Sequence, residues 1–234
     1  MYIHRPSKSV DFFSEFENGP FVPGVYNFIQ PEEQEVWNQN HNQSRTYGWN
    51  EHNVKYTINQ FGYRGKDPGG DAGFGCSYSF GYGVNDTHAW PYLMDVFNGA
   101  LPGSSNDKIA RLAVQYMNTY KPKNIYIVWS FVSRREHVND DMQFFQFTSI
   151  ENIEQAQLPG NEYKLALLEL SNKNSDMLNL QKNQLLVEYI ANSLGVNYNF
   201  MLLQQTKYTD YLTSRDLDHP NADWHKIIAQ EFTK

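Results

Sequence analysis

The run Ile125-Tyr126-Ile127-Val128-Trp129 is near-continuously apolar over the length of one strand. A strand with one wet face alternates apolar and polar residues, whereas a strand without that alternation is covered on both faces, as inside a parallel sheet. Parallel neighbours cannot be joined by a tight hairpin, so such a strand demands crossover segments, most often helices. The chain supplies them. Upstream, Asn106 to Tyr120 places Ile109, Leu112, Ala113 and Met117 on one helical face, with Ser105 or Asn106 able to cap the start and Pro122 ending the helix.

The alternation continues on either side. Gly73 to Ser77 includes a short strand, and His88 to Phe97 reads as a helix through Trp90, Leu93, Met94 and Phe97. Tyr163 to Leu170 is helical by composition. Asp176 to Leu194 is the clearest helix, stopped by Gly195 and anchored by Leu178, Leu185, Leu186, Tyr189 and Ile190. Asn199 to Leu203 is a further strand, and Ala222 to Phe232 a closing helix. Strands alternating with helices imply right-handed crossovers and a flavodoxin-like three-layer α/β/α domain with a parallel sheet.

Residues 1–58 differ. Aromatics from Phe12 to Trp49 lie scattered among Pro, Gly, Asn and Glu without a period. Disordered segments are usually poor in such residues, so this stretch is expected to be an irregular N-terminal arm packed on a body formed by 59–234. Val54 to Asn59 alternates as a short strand, and Lys66-Asp67-Pro68-Gly69-Gly70-Asp71 is a turn.

Composition removes several classes of function. Lys and Arg number 19 against 26 Asp and Glu, a formal charge of −7, which opposes a sequence-independent hold on nucleic-acid phosphates. No apolar run approaches the length that crosses a bilayer, and Met1-Tyr2-Ile3-His4-Arg5-Pro6 shows no secretory pattern. Neither nucleic acid nor membrane is therefore an expected partner, and a cytoplasmic location is the default. Cys76 is the single cysteine, which excludes an internal disulfide. Aromatics make up 15% of the chain beside abundant amides, which fits a sugar-binding surface or an ordinary core with a polar exterior.

Three stretches carry groups capable of chemistry. In Gly75-Cys76-Ser77-Tyr78-Ser79-Phe80-Gly81-Tyr82-Gly83, a strand ending in a tight turn can hold a serine hydroxyl at the carboxyl edge of a sheet, where open α/β folds bind ligands. Ser79 stands where a Gly-x-Ser-x-Gly elbow needs its second glycine, and neither a phosphate-loop Gly-Lys-Ser/Thr nor dinucleotide spacing is present. Alone, the segment is equally a glycine-rich turn.

The second stretch is Asp216-Leu217-Asp218-His219-Pro220-Asn221, where Asn221 can cap the last helix. A carboxylate three residues before a histidine can turn back onto Nδ1, leaving Nε2 free to take a serine's proton. Asp218 adjoins His219, points away from it, and is the poorer orienter. Read as metal ligands, Asp216, Asp218, His219 and His225 form a conceivable cluster. The chain offers no obvious histidine partner for it, His225 falls inside a helix, and neither metal nor cofactor is expected. The third stretch, Leu101-Pro102-Gly103-Ser104-Ser105-Asn106-Asp107, joins a turn to a helix start, whose N–H groups can face developing negative charge or merely begin the helix.

Together these stretches resemble the SGNH (GDSL-type) hydrolases. Gly75 to Gly83 is similar to the family's first block, usually Gly-Asp-Ser followed by Thr/Ser-x-Gly, and 216–221 to its terminal Asp-x-x-His-Pro-Asn block. Asn59-Gln60-Phe61-Gly62-Tyr63-Arg64-Gly65 resembles the Asn-x-x-Gly-Phe-Arg-Gly lead-in, and Gly103 falls where the second-block glycine belongs. The likeness spans 59–234. It implies Ser77 as nucleophile, His219 as general base, Asp216 as its orienter, and the N–H groups of Ser77 and Gly103 as oxyanion donors.

Two positions depart from the family pattern. Cys76 replaces the aspartate beside the nucleophile, as in a Gly-Cys-Ser variant, and is expected to be buried packing. The third block, Gly-x-Asn-Asp, is replaced by Trp129-Ser130-Phe131-Val132-Ser133-Arg134-Arg135-Glu136, leaving Asn106, Ser130 or Arg134 as candidates for the missing donor. The function implied is a serine hydrolase acting on a small-molecule or carbohydrate ester, removing an acyl or O-acetyl group. An acyltransferase would use the same intermediate. A non-enzymatic carbohydrate- or protein-binding module would keep the fold without effective catalysis.

Overall fold

The computed structural model describes residues 16–29, 34–50, 52–138, 144–147 and 172–234. In chain order its first elements are β1 (Gly24–Tyr26), α1 (Gln34–Thr46), β2 (Tyr56–Ile58), β3 (Ala72–Phe74), α2 (Ser77–Phe80), α3 (Trp90–Leu93) and β4 (Phe97–Asn98). Then come α4 (Asn106–Tyr120), β5 (Asn124–Trp129), β6 (Arg135–Val138), β7 (Phe144–Phe147), α5 (Lys173–Leu194), β8 (Asn197–Leu202) and α6 (Ala222–Phe232). The helix expected at Tyr163 to Leu170 lies outside the described residues.

Four strands form the central sheet in the order β4-β3-β5-β8, and every pair is parallel. α4 and α5 pack together on one face, α3 and α6 on the other, which makes three layers. β5 is interior as its composition requires. Ile125, Ile127 and Trp129 enter the core beneath α4 and α5, and Val128 the core beneath α6. A large apolar side chain fully withdrawn from water contributes about 1.5–3 kcal/mol, so this run is enough to fix the strand at the centre. From β3 the chain steps outward to β4, then crosses back to β5. The crevice outside the carboxyl ends of β3 and β5, where the order reverses, is the ligand-binding position of open α/β sheets.

Local signals set the helix ends. The Ser105 hydroxyl accepts the Lys108 N–H at 3.1 Å to begin α4, which ends on Lys121 in the left-handed region, just before Pro122. α5 starts earlier than expected because Asn172 Oδ1 accepts the Ser175 N–H at 3.0 Å; it closes on left-handed Gly195. The anchors expected for α5 need correction. Leu178, Leu185 and Tyr189 are 52%, 63% and 72% exposed and Leu186 is also exposed, whereas Leu180, Val187 and Ala191 are buried and Ile190 packs partly against the core. The helix is turned so that Asn179 and Asn183 reach Asp107 of α4, each with its Nδ2 donating to the Asp107 carboxylate.

His88 to Phe97 is also not one helix. Pro91 opens the short α3, the chain turns at Asp95 with φ +55°, and Phe97 pairs with Ala72 as strand β4. After β5 stands a hairpin that the sequence reading did not foresee, β6 against β7. Arg111 of α4 forks onto Glu136 and Arg135 pairs with Asp176 of α5, which ties β6 down.

Upstream, β1 pairs antiparallel with β2, and Ile29, Val54, Tyr56 and Ile58 form a third core with Phe80 and Tyr82. Phe74, then Cys76 and Tyr78, then Phe80 and Tyr82 belong in turn to the three cores. The segment around Ser77 is therefore where all three meet.

Candidate active site

β3 ends at Phe74, and Ser77 is the first residue of α2, three residues beyond the strand. Four residues cannot sustain a helix alone, because nucleation is unfavourable. α2 is held by its neighbours instead. Arg64 is buried, and its Nη1 donates to the carbonyls of Phe80 (2.9 Å) and Gly81, while Nη2 reaches Val84 at 2.7 Å and Lys55 at 3.2 Å. Nε completes the fork on Asp86 at 2.7 Å, and the guanidinium lies 4.4 Å above the Tyr56 ring. The guanidinium thus gathers the carbonyls at the carboxyl end of the helix that begins with Ser77.

Gly83, with φ +71°, follows this turn, and a Cβ there would stand 2.7 Å from the Ser214 side chain. Only glycine permits that approach. Its carbonyl accepts the Arg215 N–H at 3.0 Å, joining the Ser77 segment to the loop that carries Asp216.

Within that loop, His219 Nδ1 lies 2.6 Å from Asp216 Oδ2, and Nε2 lies 2.9 Å from Ser77 Oγ. Asp216 Oδ1 receives the Ser214 hydroxyl at 2.6 Å and the N–H groups of Asp218 (3.1 Å) and His219 (3.2 Å). The His219 ring packs between Tyr78 and Tyr82, with centroids 5.0 and 5.2 Å away. Ser77, His219 and Asp216 are each less than a tenth exposed. Asp218 is exposed, and the carboxylate on the His219 ring is that of Asp216.

Burial alone would raise the Asp216 carboxyl, but the adjacent His219 and the donors on its oxygens outweigh it and hold the group down at about 2. It is therefore ionised at neutral pH and accepts the Nδ1 proton. Nε2 is then the unprotonated nitrogen and accepts the Ser77 hydroxyl proton. His225 lies fully buried in α6 with Nδ1 accepting the Trp90 N–H at 3.2 Å. Burial first, then Arg64, His219 and His88, pulls it down to about 3, so it is neutral and carries its proton on Nε2. Among the described residues no three His, Cys, Asp or Glu side chains converge as a metal site.

The residues considered for the oxyanion differ in what they have left to offer. Gly103 is left-handed at φ +69°, just ahead of α4. The Asn106 amide is already engaged: Nδ2 donates to Ser130 O (3.4 Å) and Phe131 O (3.2 Å), and Oδ1 accepts the Ser130 N–H at 2.8 Å. The Ser130 hydroxyl accepts Arg134 Nη1 at 3.2 Å and retains its own proton. Arg134 does not pair with Glu136, which Arg111 holds; its guanidinium lies 4.8 Å from the Phe131 ring centre, with Nε buried and unpartnered. Phe131 in turn meets Tyr78 and Tyr208 edge-on, continuing an aromatic wall from His219. Cys76 is buried in the core beneath α6.

Reading the sequence placed Arg64, Tyr82 and Gly83 inside motifs without giving them a role, and it missed Ser214. Arg64 had a visible signal in the Asn59–Gly65 motif. Ser214 had none, since a serine two residues before an aspartate is commonplace.

No family model matches the chain, and no curated protein matches it. Among solved structures it is similar to a psychrotrophic esterase, EstA, from a Pseudoalteromonas species, solved with monoethylphosphonate as inhibitor. That likeness has 14% identity and a TM-score of 0.34, covering 70% of this chain and 93% of that one. Among the described residues no helix is long and apolar enough to cross a membrane.

Proposed function

We propose that the protein is a serine hydrolase that cleaves an ester through an acyl-enzyme on Ser77. The observation that carries this reading is the unbroken hydrogen-bond chain Ser77 Oγ, His219 Nε2, His219 Nδ1 and Asp216 Oδ2, at 2.9 and 2.6 Å. A nucleophile and its base need a separation of about 2.6–3.2 Å, with the base oriented by a third group. Here the orienter is itself fixed by three donors, so the imidazole has one available tautomer.

In acylation His219 Nε2 takes the Ser77 proton as Oγ bonds to the carbonyl carbon. The imidazolium that forms faces ionised Asp216. Collapse of the tetrahedral intermediate breaks the ester C–O bond, and His219 gives its proton to the departing alcohol oxygen. Water then loses a proton to His219 as it attacks the acyl carbon, the proton returns to Ser77 Oγ, and the carboxylic acid leaves. An alcohol in place of that water makes the same site an acyltransferase.

The negative oxygen of each intermediate would be met by the N–H groups of Ser77 and Gly103. With the Asn106 amide engaged, the Ser130 hydroxyl, oriented by Arg134, is the proposed third donor. One such donor is worth about 2.7–4 kcal/mol in the transition state. An O-acetyl group on a carbohydrate is the proposed substrate, for which the partly exposed Phe131 and Tyr208 offer aromatic surface.

The test is turnover of a panel of p-nitrophenyl esters and acetylated sugars by wild type and by Ser77→Ala. The variant should keep its fold by circular dichroism and lose turnover by about 10³-fold or more. Equal turnover in the two proteins would remove Ser77 from the mechanism, and no turnover by the wild type would favour a binding module that retains only the fold.

A further inference from the structure

We propose that residues 34–49, α1 and the turn that follows it, act as a positioning clamp on the loop that presents Asp216 and His219, with Ser44 and Trp49 as its two jaws. The inference rests on the reading of Ser77, His219 and Asp216 given above.

The loop from Thr213 to His219 has no helix or strand of its own, and Leu217 within it stands in the left-handed region at φ +62°. A non-glycine residue there costs energy, so the conformation persists only where surrounding structure enforces it. Part of that enforcement is internal: the Ser214 Oγ is 2.6 Å from Asp216 Oδ1 and 2.7 Å from the His219 carbonyl. The rest comes from far away in sequence. Ser44 Oγ donates to the Arg215 carbonyl at 2.8 Å, and Trp49 Nε1 donates to the Thr213 carbonyl at 2.7 Å. These are the carbonyls on either side of Ser214. The Arg215 guanidinium lies 4.2 Å from the Phe28 ring centre and donates to the Asn27 carbonyl.

Three features make this more than ordinary packing. Ser44 is the buried polar residue of an otherwise largely exposed α1, and its hydroxyl points at a backbone carbonyl of the Asp216 loop. The bonds bracket Ser214, whose hydroxyl touches the Asp216 oxygen not used by the His219 ring. They also add to the Gly83 contact, so Arg215 is held at both its N–H and its carbonyl. A shift of the loop moves Asp216 relative to Nδ1 and weakens its hold on the imidazolium.

Ser44→Ala deletes one donor with little change of volume, Trp49→Phe deletes the other together with part of the indole ring, and Ser44→Thr retains the hydroxyl. The groups around His219 are the same in all three variants: Asp216 and Asp218 from its own loop, Tyr78 in α2, Tyr82 just after it, and His225 from α6. A changed His219 titration therefore reports the placement of Asp216. With less support from Asp216, the imidazolium becomes easier to deprotonate. The acid limb of kcat/KM should move to lower pH and kcat should fall about tenfold, with KM little changed and Ser44→Thr near wild type.

The same displacement is read without substrate by NMR titration of the His219 ring, assigned by its loss in His219→Gln. A lowered His219 titration in Ser44→Ala or Trp49→Phe supports the clamp. An unchanged His219 titration in both overturns it, whether or not any ester is turned over. Absence of wild-type turnover together with a shifted titration would instead overturn the hydrolase reading and leave the clamp standing.

Discussion

Two buried groups in the same neighbourhood respond to acid in different pH windows. His225 is held at about 3, below its ordinary 6.5, because burial and nearby cations disfavour the imidazolium. The unfolded chain therefore binds a proton that the native state refuses over that interval. The stability linked to His225 is fully present above about 6.5 and declines as the pH falls towards 3. Asp216, held at about 2 against an ordinary 3.8, contributes stability above 3.8 that is lost only as the pH falls through 2. Thermal unfolding followed from pH 7 to 4 should thus steepen with acid in the wild type. It should be flatter in His225→Gln, which can still accept the Trp90 N–H. Equal slopes would exclude His225 as the source.

Among the elements, α2 is the one least able to stand alone. Its position depends on Arg64, whose fork binds carbonyls of Phe80, Gly81, Val84 and Lys55 as well as the Asp86 carboxylate. Arg64→Met keeps the apolar stem but strands several carbonyls and leaves the half-buried Asp86 carboxylate without its cation. Removing one partner of a buried pair costs about 3–5 kcal/mol, a large part of a domain's total stability. Urea denaturation should therefore show a midpoint far below wild type, and any folded fraction should turn over ester poorly because Ser77 has lost its support. A midpoint equal to that of an ordinary surface variant would mean that other contacts hold α2.

For the whole molecule, the three cores meet at the Ser77 segment, and Cys76 lies inside the one between the sheet and α6. Access to its thiol requires that layer to separate from the sheet. Under native conditions a thiol reagent should label Cys76 slowly, and the rate should rise with urea in step with global unfolding. Fast labelling at zero denaturant would place the thiol at the surface and contradict the layered packing.

What could be read along the chain was whatever local chemistry dictates. The apolar run 125–129 demands burial on both faces, and Ser105, Asn221 and Gly195 mark helix ends through their own side chains or lack of one. Ser77, Asp216 and His219 stood out only through the resemblance of their blocks to a known family. The face of α5 was not legible, because Leu178, Leu185 and Tyr189 offer as good an apolar stripe as Leu180, Val187 and Ala191. Asp107 reaching Asn179 and Asn183 goes with the second stripe. Phe97 fits a helix by spacing and becomes a strand only because β3 is there to pair with it. The support of the site was equally hidden: Ser44 meets Arg215 across 171 residues and Trp49 meets Thr213 across 164. Periodicity and capping are properties of a few consecutive residues, so sequence determined them. Which face is covered, and which distant donor fixes a loop, depends on long-range contacts that exist only once the chain has folded.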